Sequence, residues 1–194
     1  MNHTPPLVAL AILASTACPT PPAEPVESAP PDAAAGEPEH APTPYTAEQI
    51  RDASRPGRTY RFRVEIPGAP TVVREIRFEA VDTETATIRS TTRDEAGNVL
   101  EAPEPTVAAW EELRRHALFP QDVVELTEAE VTVPAGTFAC VVYTVTTSEG
   151  VEVYEFATDL PGPPVRFWTE AGGARTMTST LVEYLPGVDA AAAP

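Results

Sequence analysis

The stretch from Glu130 to Trp168 constrains the fold more than any other part of the chain. It consists of runs rich in Val, Tyr, Phe and Thr, separated by turn-forming residues at 134–136, 148–150 and 161–164. β-branched and aromatic residues favour strands, and Gly or Pro between such runs marks turns. The pattern therefore predicts consecutive antiparallel strands. It is a signal of structure and not of a catalytic or binding function.

Within this stretch, residues 137–145 carry apolar side chains on both faces of the predicted strand. Phe138, Cys140 and Val142 alternate with Val141 and other apolar residues. A strand that is apolar on both faces is buried on both faces. Cys140 is therefore predicted to be a small buried side chain, without a redox role and without pairing to Cys18.

Three amphipathic strands precede this stretch, over residues 59–66, 72–80 and 85–93. In the first of them, Tyr60, Phe62 and every second residue are apolar, and the residues between them are polar or charged. One face is thus predicted to lie on the core, while Arg and Glu on the other face can pair across strands. Residues 94–98, Asp-Glu-Ala-Gly-Asn, are predicted to form a hairpin turn. Their acids are too few and wrongly spaced for a calcium loop.

Two helices are predicted. Thr46 and Gln49 have the spacing of a capping box, which indicates a short first helix over 46–53. Val107, Trp110 and Leu113 fall on one stripe of a main helix over 106–118. The predicted fold is therefore α+β, with a curled antiparallel sheet of about seven strands packed with these two helices.

The composition is strongly acidic. The chain has 29 Asp and Glu against 13 basic residues, all of them Arg, and a net charge of −16. Such a surface repels phosphate backbones, so no nucleic-acid partner is predicted. The sequence contains no nucleophile motif, metal-ligand spacing or phosphate-binding loop, and its three His are scattered. We therefore predict that the protein is not an enzyme and has no cofactor and no metal.

The N-terminal region predicts export followed by a tether. Residues 7–14 are apolar but too few to span a bilayer, and small residues follow them, which is typical of a signal peptide over 1–17. Residues 18–44 are rich in Pro and acids, which indicates a disordered tether. The predicted globular domain covers 45–187, and 188–194 are predicted to be a frayed tail.

The four residues Ser15-Thr16-Ala17-Cys18 resemble the lipobox of bacterial lipoproteins, although such families usually carry Leu where this chain has Ser15. The resemblance implies that Cys18 is lipidated and anchors the protein to a membrane. Pro19, rather than Asp, follows the cysteine, which in Gram-negative families implies the outer membrane. The alternative is ordinary secretion into the periplasm or beyond, since Ser15 and Ala17 also fit a small-x-small cleavage site.

Two further segments resemble a group of uncharacterised β-rich bacterial lipoproteins. They are V-P-A-G-T-F-x-C at 133–140 and D-L-P-G-P-P-V at 159–165. These proteins are similar in outline to curled half-barrel periplasmic domains, which include lipoprotein carriers. The resemblance covers residues 58–184, and it carries over no functional residues.

Two functions are compatible with these observations. The protein is either a lipid-anchored structural or protein-interaction module of the cell envelope with an unknown protein partner, or a carrier that binds a lipid or other hydrophobic ligand in its curled sheet. The same apolar residues would form a solid core in the first case and line a pocket in the second. Because aromatic residues in strands usually fill cores, the first function is favoured. These residues are Trp110, Leu113, Phe138, Tyr143, Phe156, Phe167 and Trp168.

Overall fold

Antiparallel strands make up most of the computed structural model, which describes residues 39–188. The strands are β1 (Thr59–Glu65), β2 (Val72–Val81), β3 (Thr85–Asp94), β4 (Val99–Glu101), β5 (Thr106–Ala109), β6 (Val124–Val133), β7 (Gly136–Thr146), β8 (Val151–Ala157), β9 (Arg166–Ala171) and β10 (Ala174–Leu185). The helices are α1 (Ala47–Ala53) and α2 (Trp110–Arg115), and a 3-10 turn spans Gln121–Val123.

All ten strands of residues 39–188 belong to one curled, unclosed sheet. Its order is β4-β3-β2-β1-β10-β9-β8-β7-β6, and β5 pairs with β3 beside β4. Each paired strand runs antiparallel to its neighbour. The prediction of about seven strands is wrong. It missed β4 and β5, which have three and four residues, and most of β6, which is rich in Glu.

The main helix is shorter than predicted, because residues 106–109 form β5. Ala108 pairs with Ala86 on β3, and the N–H of Trp110 donates to the carbonyl of Glu84 at 3.3 Å. Thr106 and Val107 are β-branched and favour a strand wherever a free edge offers backbone partners. The helix therefore begins at Trp110 and ends at Arg115, instead of covering 106–118.

The first helix is confirmed within one residue, and its capping box is present. The N–H of Gln49 donates to Oγ1 of Thr46 at 3.1 Å, and the N–H of Thr46 donates to Oε1 of Gln49 at 2.8 Å. These two bonds satisfy donors that the helix itself leaves free. Ile50 is the buried residue of α1, and the helix lies next to α2.

The centre of the sheet separates an apolar face from a charged face, as the alternation predicted. On the apolar face, Phe62 of β1 lies opposite Leu181 of β10, and both are buried. On the charged face, Nε of Arg61 lies 2.7 Å from a carboxylate oxygen of Glu75, and the same guanidinium also pairs with Glu183. Such exposed pairs contribute about 0 to 1 kcal/mol each, so the apolar face provides most of the stability.

Residues 39–44, which the sequence assigns to the tether, lie against the domain. The N–H of Ala41 donates to the carbonyl of Phe119 at 3.0 Å. The hydroxyl of Tyr143 donates to the carbonyl of Pro42 at 2.7 Å. The packed part of the chain thus starts before residue 45. The predicted signal peptide, Cys18, the tether up to residue 38 and the tail after 188 lie outside the described residues.

Candidate interaction surface at the sheet edge

Three of the predicted aromatic residues, Tyr143, Phe156 and Phe167, lie on one face of the sheet and pack together with Tyr154. Tyr143 and Phe167 both lie opposite Tyr154, and Phe156 lies two residues along from Tyr154 on the same strand. The ring centroids of Tyr143 and Phe156 are 5.4 Å apart, and those of Tyr154 and Phe167 are 4.6 Å apart. These separations are those of aromatic pairs in direct contact. We call the rings on this face the aromatic cluster: Tyr45, Phe119, Tyr143, Tyr154, Phe156 and Phe167.

Phe138 and Trp168 lie on the opposite face, because side chains alternate along a strand. Phe138 is an odd number of positions from Tyr143, and Trp168 directly follows a member of the aromatic cluster. The indole of Trp168 has the guanidinium of Arg175 at 4.5 Å from its ring centroid, and its N–H donates to Glu170 at 3.0 Å. The predicted residues therefore do not converge on one pocket.

Trp110 and Leu113 belong to α2 and pack against the core. Trp110 is buried, and its indole N–H donates to the carbonyl of Asp82 at 3.1 Å. Leu113 is half-buried against the same core. The two residues thus fix α2 to the end of β2 instead of facing a ligand space.

Two clefts open on the surface, with volumes of about 490 and 390 Å³. Neither contains any member of the aromatic cluster. The larger one is lined largely by charged and small polar residues at the C-terminal ends of α1 and β2 and in the connections that follow them. This geometry fits a packed interior better than a cavity for a hydrophobic ligand. The smaller cleft lies beside β6 and is lined by Glu128, Ala129, Glu130, Ala139, Cys140 and Thr158.

The buried polar tips of the tyrosines have partners. The hydroxyl of Tyr45 donates to the carbonyl of Ala157, and that of Tyr154 donates to Glu152 at 2.6 Å. Burial raises the pKa of Tyr45, Tyr60 and Tyr154 above the ordinary value, because it disfavours the phenolate. These hydroxyls therefore act as structural donors.

Cys140 is buried, and the prediction of a small buried side chain is confirmed. Burial raises the pKa of its thiol to about 11, chiefly because the thiolate loses hydration. A thiol that stays protonated is a poor nucleophile. Cys18, the predicted lipidation residue, lies outside the described residues.

Among the described residues, the outer edge of β6 pairs with no other strand. This strand has ten residues and pairs only with β7. Six consecutive residues, Glu125 to Glu130, are exposed, and 40% of Leu126 is accessible to solvent. A long strand with one free edge can pair with a further strand. The sequence prediction missed this edge, and the only period-2 signal it offers is Val131 and Val133, which are buried at its end.

Every second residue of β6 directs its backbone N–H and C=O away from β7. The N–H of Thr158 donates to the carbonyl of Ala139 at 2.8 Å, so Ala139 bonds toward the β8 side. Neighbouring residues of an antiparallel ladder bond in opposite directions, so Cys140 bonds toward β6. Cys140 lies opposite Ala129, and Ala129 therefore bonds to β7. Within the exposed run 125–130, the outward residues are Leu126, Glu128 and Glu130, and we call these three the β6 edge surface.

The surroundings of the β6 edge surface are acidic. Residues 116–165 contain eight acidic residues and no Arg. Glu125, Glu128 and Glu130 form no ion pair with any residue of the described range 39–188. In contrast, Arg166, which follows this segment, is held by Glu155 through two bonds of 2.7 and 2.8 Å. These three carboxylates of β6 therefore have no direct ion-pair partner in the described part of the chain.

The opposite edge of the sheet has a different character. β4 and β5 lie along the same edge of β3, since Glu101 pairs with Thr92 and Thr106 pairs with Ile88. Both strands are short, which leaves few free backbone groups. Their exposed apolar side chains are Val99, Leu100 and Val107, with 51%, 56% and 62% of each accessible.

Within residues 39–188, no group of three or more His, Cys, Asp or Glu side chains is placed to hold a metal ion. Neither helix of this range has the length and apolar character needed to cross a membrane.

Comparison with known proteins identifies no family for this chain and one distant structural similarity. No protein-family model matches the chain, and no curated protein matches it. Among solved structures, the chain is similar to one described as the crystal structure of MucB in complex with MucA(peri), with a TM-score of 0.42 and 15% sequence identity. The match covers 76% of this chain and 57% of that chain, so this chain spans little more than half of the protein it matches. A similarity of this size carries no argument about function.

Proposed function

We propose that the protein is a lipid-anchored protein-interaction module of the cell envelope, tethered through Cys18 and binding a protein partner through an edge of its sheet. The observation that carries the proposal is the open sheet, whose β6 edge and β4–β5 edge are both exposed. Free edges pair readily with other chains, and exposed apolar side chains beside them add binding surface. The packed aromatic cluster supports this function over that of a hydrophobic-ligand carrier.

The anchor and the interaction are tested separately. For the anchor, wild-type and Cys18→Ala proteins are expressed in the source cells, and membrane and soluble fractions are compared. Lipidation predicts that wild-type protein is found with membranes, that Cys18→Ala is soluble, and that the mass of the N-terminal peptide includes acyl chains. A Cys18→Ala protein that still sediments with membranes would refute the anchor.

For the interaction, a photo-crosslinking residue is placed in intact cells at position 126 on β6, at 107 on β5, or at 112 on the exposed side of α2. All three positions are exposed, so they differ in location rather than in accessibility. We expect a discrete crosslinked product from 126 or 107 and none from 112. The crosslinked protein is then purified and must bind the wild-type chain directly. Equal products from all three positions, or no product from either edge, would contradict the proposed function.

A further inference from the structure

We propose that the β6 edge surface binds an extended segment of another protein that carries basic residues at alternate positions. This inference rests on the proposed function, and it specifies both the edge and the chemistry of the partner. The added segment would become an eleventh strand next to β6. Leu126, Glu128 and Glu130 would supply the backbone donors and acceptors for it, since their N–H and C=O groups point away from β7.

The side chains of the same three residues define the pattern of the partner. Residues two apart on a strand share a face, so Leu126, Glu128 and Glu130 project to one side of the sheet. A partner residue opposite Leu126 is therefore expected to be apolar, and those opposite Glu128 and Glu130 are expected to be Arg or Lys. Read from its N-terminus, a partner that binds antiparallel has the pattern basic-x-basic-x-apolar.

The charge of the chain excludes two other occupants of this edge. A second copy of β6 would bring Glu125, Glu128 and Glu130 from both chains to one edge, where like charges repel. The chain's own tether is equally unsuitable, because residues 19–38 contain four acids and no Arg. A basic segment from a different protein is the occupant that the charges favour.

The β6 edge is also the better of the two sheet edges for strand addition. It has ten residues, against three in β4 and four in β5. β6 contains no Pro, since Pro134 follows its last residue, so no outward N–H of the strand is missing. The smaller cleft, of about 390 Å³, lies beside Glu128 and Glu130 and offers room for a long basic side chain.

The test uses the full-length protein and three synthetic peptides of ten residues, with binding measured by fluorescence anisotropy. The first has the pattern Arg-x-Arg-x-Leu, the second has Glu in place of Arg, and the third is the first peptide with N-methyl groups on the amides that would face β6. We expect the first to bind at least about tenfold more tightly than either control, because one control loses the charges and the other loses the backbone bonds. Equal binding of the first and third peptides would overturn strand addition.

Matched protein variants locate the site. Glu128→Arg/Glu130→Arg is compared with Glu95→Arg/Glu101→Arg, which changes the net charge equally but lies at the opposite end of the sheet. We expect only the first to weaken the Arg peptide, by about tenfold or more. Leu126→Pro is compared with Leu126→Ala, since both lose the leucine side chain but only the proline loses an outward N–H. Binding by Leu126→Pro equal to that by Leu126→Ala would contradict the inference.

Amide hydrogen exchange shows where the peptide lies. In the free protein, the amides of Leu126, Glu128 and Glu130 should exchange faster than those of Thr127 and Ala129, which bond to β7. The Arg peptide should protect the three outward amides and leave the other two unchanged. Binding without this protection would overturn the inference. If crosslinks in cells form only at position 107, the inference fails while the proposed function stands.

Discussion

Replacing Tyr45 tests whether the residues before α1 are part of the folded domain. Tyr45 is 5% exposed, its hydroxyl donates to the carbonyl of Ala157, and its ring meets that of Phe156 edge-on at 6.1 Å. Tyr45→Phe removes only the hydrogen bond. The Ala157 carbonyl keeps a second donor, the N–H of Leu160 at 3.3 Å, so the expected cost is about 1 kcal/mol. Tyr45→Ala also removes the buried ring, and the expected cost is about 4 kcal/mol.

The comparison of wild type with Tyr45→Phe also predicts a pH dependence. Burial raises the pKa of Tyr45 above its ordinary value of 10.0, so the folded protein keeps the hydroxyl proton at a pH where the unfolded chain loses it. The contribution of Tyr45 is thus complete below the unfolded pKa and is lost as the pH rises toward the folded pKa. At pH 11 the loss is about 1.4 kcal/mol. The advantage of wild type over Tyr45→Phe should therefore vanish between pH 9 and pH 11.

The assay is urea unfolding followed by tryptophan fluorescence, with the three proteins compared at pH 8 and wild type and Tyr45→Phe compared again at pH 11. Tyr60 and Tyr154 titrate in all three, so the difference between variants isolates the residue that is replaced. A cost below about 2 kcal/mol for Tyr45→Ala would show that the ring is not buried in a packed core. A Tyr45→Phe difference that is the same at both pH values would refute the hydroxyl's role as a buried donor.

Cys140, Glu155 and Asp94 give three further predictions. Cys140 is buried, and its thiol has a pKa of about 11, so iodoacetamide at pH 8 should label it only in urea. Mass spectrometry measures the labelling, and equal rates with and without urea would contradict the burial of Cys140. Glu155→Gln breaks the ion pair between the buried Glu155 and Arg166, so the free energy of unfolding should fall by about 2 kcal/mol. This is less than for a fully buried pair, because Arg166 is partly exposed. Thermal unfolding measures the change, and an unchanged melting temperature would contradict it. The side chain of Asn98 holds the pKa of Asp94 below its ordinary value. The stability that this contact gives the turn is therefore present above the unfolded pKa and is lost as the pH falls through the lowered pKa. NMR titration of the Asp94 carboxyl should give a lower midpoint in the wild-type protein than in Asn98→Ala.

The position of several strands could be predicted from the sequence because each buries one face. Tyr60 and Phe62 alternate with charged residues, and the alternation gave both the strand and its buried side. The order of the strands could not be predicted in the same way. Phe62 lies opposite Leu181, and no local pattern specifies a partner so far along the chain.

The helix over 106–118 was predicted from a stripe that the structure only partly uses. Trp110 and Leu113 do lie on a helix, but Val107 lies on β5 and is exposed. The apolar spacing was compatible with both structures, and the free edge of β3 decided between them. Local propensity cannot include a partner strand that is distant in sequence.

The β6 edge surface was missed for a related reason. Most of β6 is solvent-exposed, so it lacks the apolar period that identifies a half-buried strand. Glu128 and Glu130 read in the sequence as a solvated acidic segment, and only the register with β7 shows that their backbone groups point outward. A strand at a free edge has few buried side chains, so its sequence shows little of the apolar alternation that identifies a strand.

The most direct test of the central claim is to sequence the peptide that is photo-crosslinked to position 126 of β6 in intact cells. An interaction module that uses its β6 edge surface predicts one discrete product. Its attached segment should carry basic residues at alternate positions, and Glu128→Arg/Glu130→Arg should abolish the crosslink. An acidic or uncharged segment, or a product that survives the double substitution, would contradict the account.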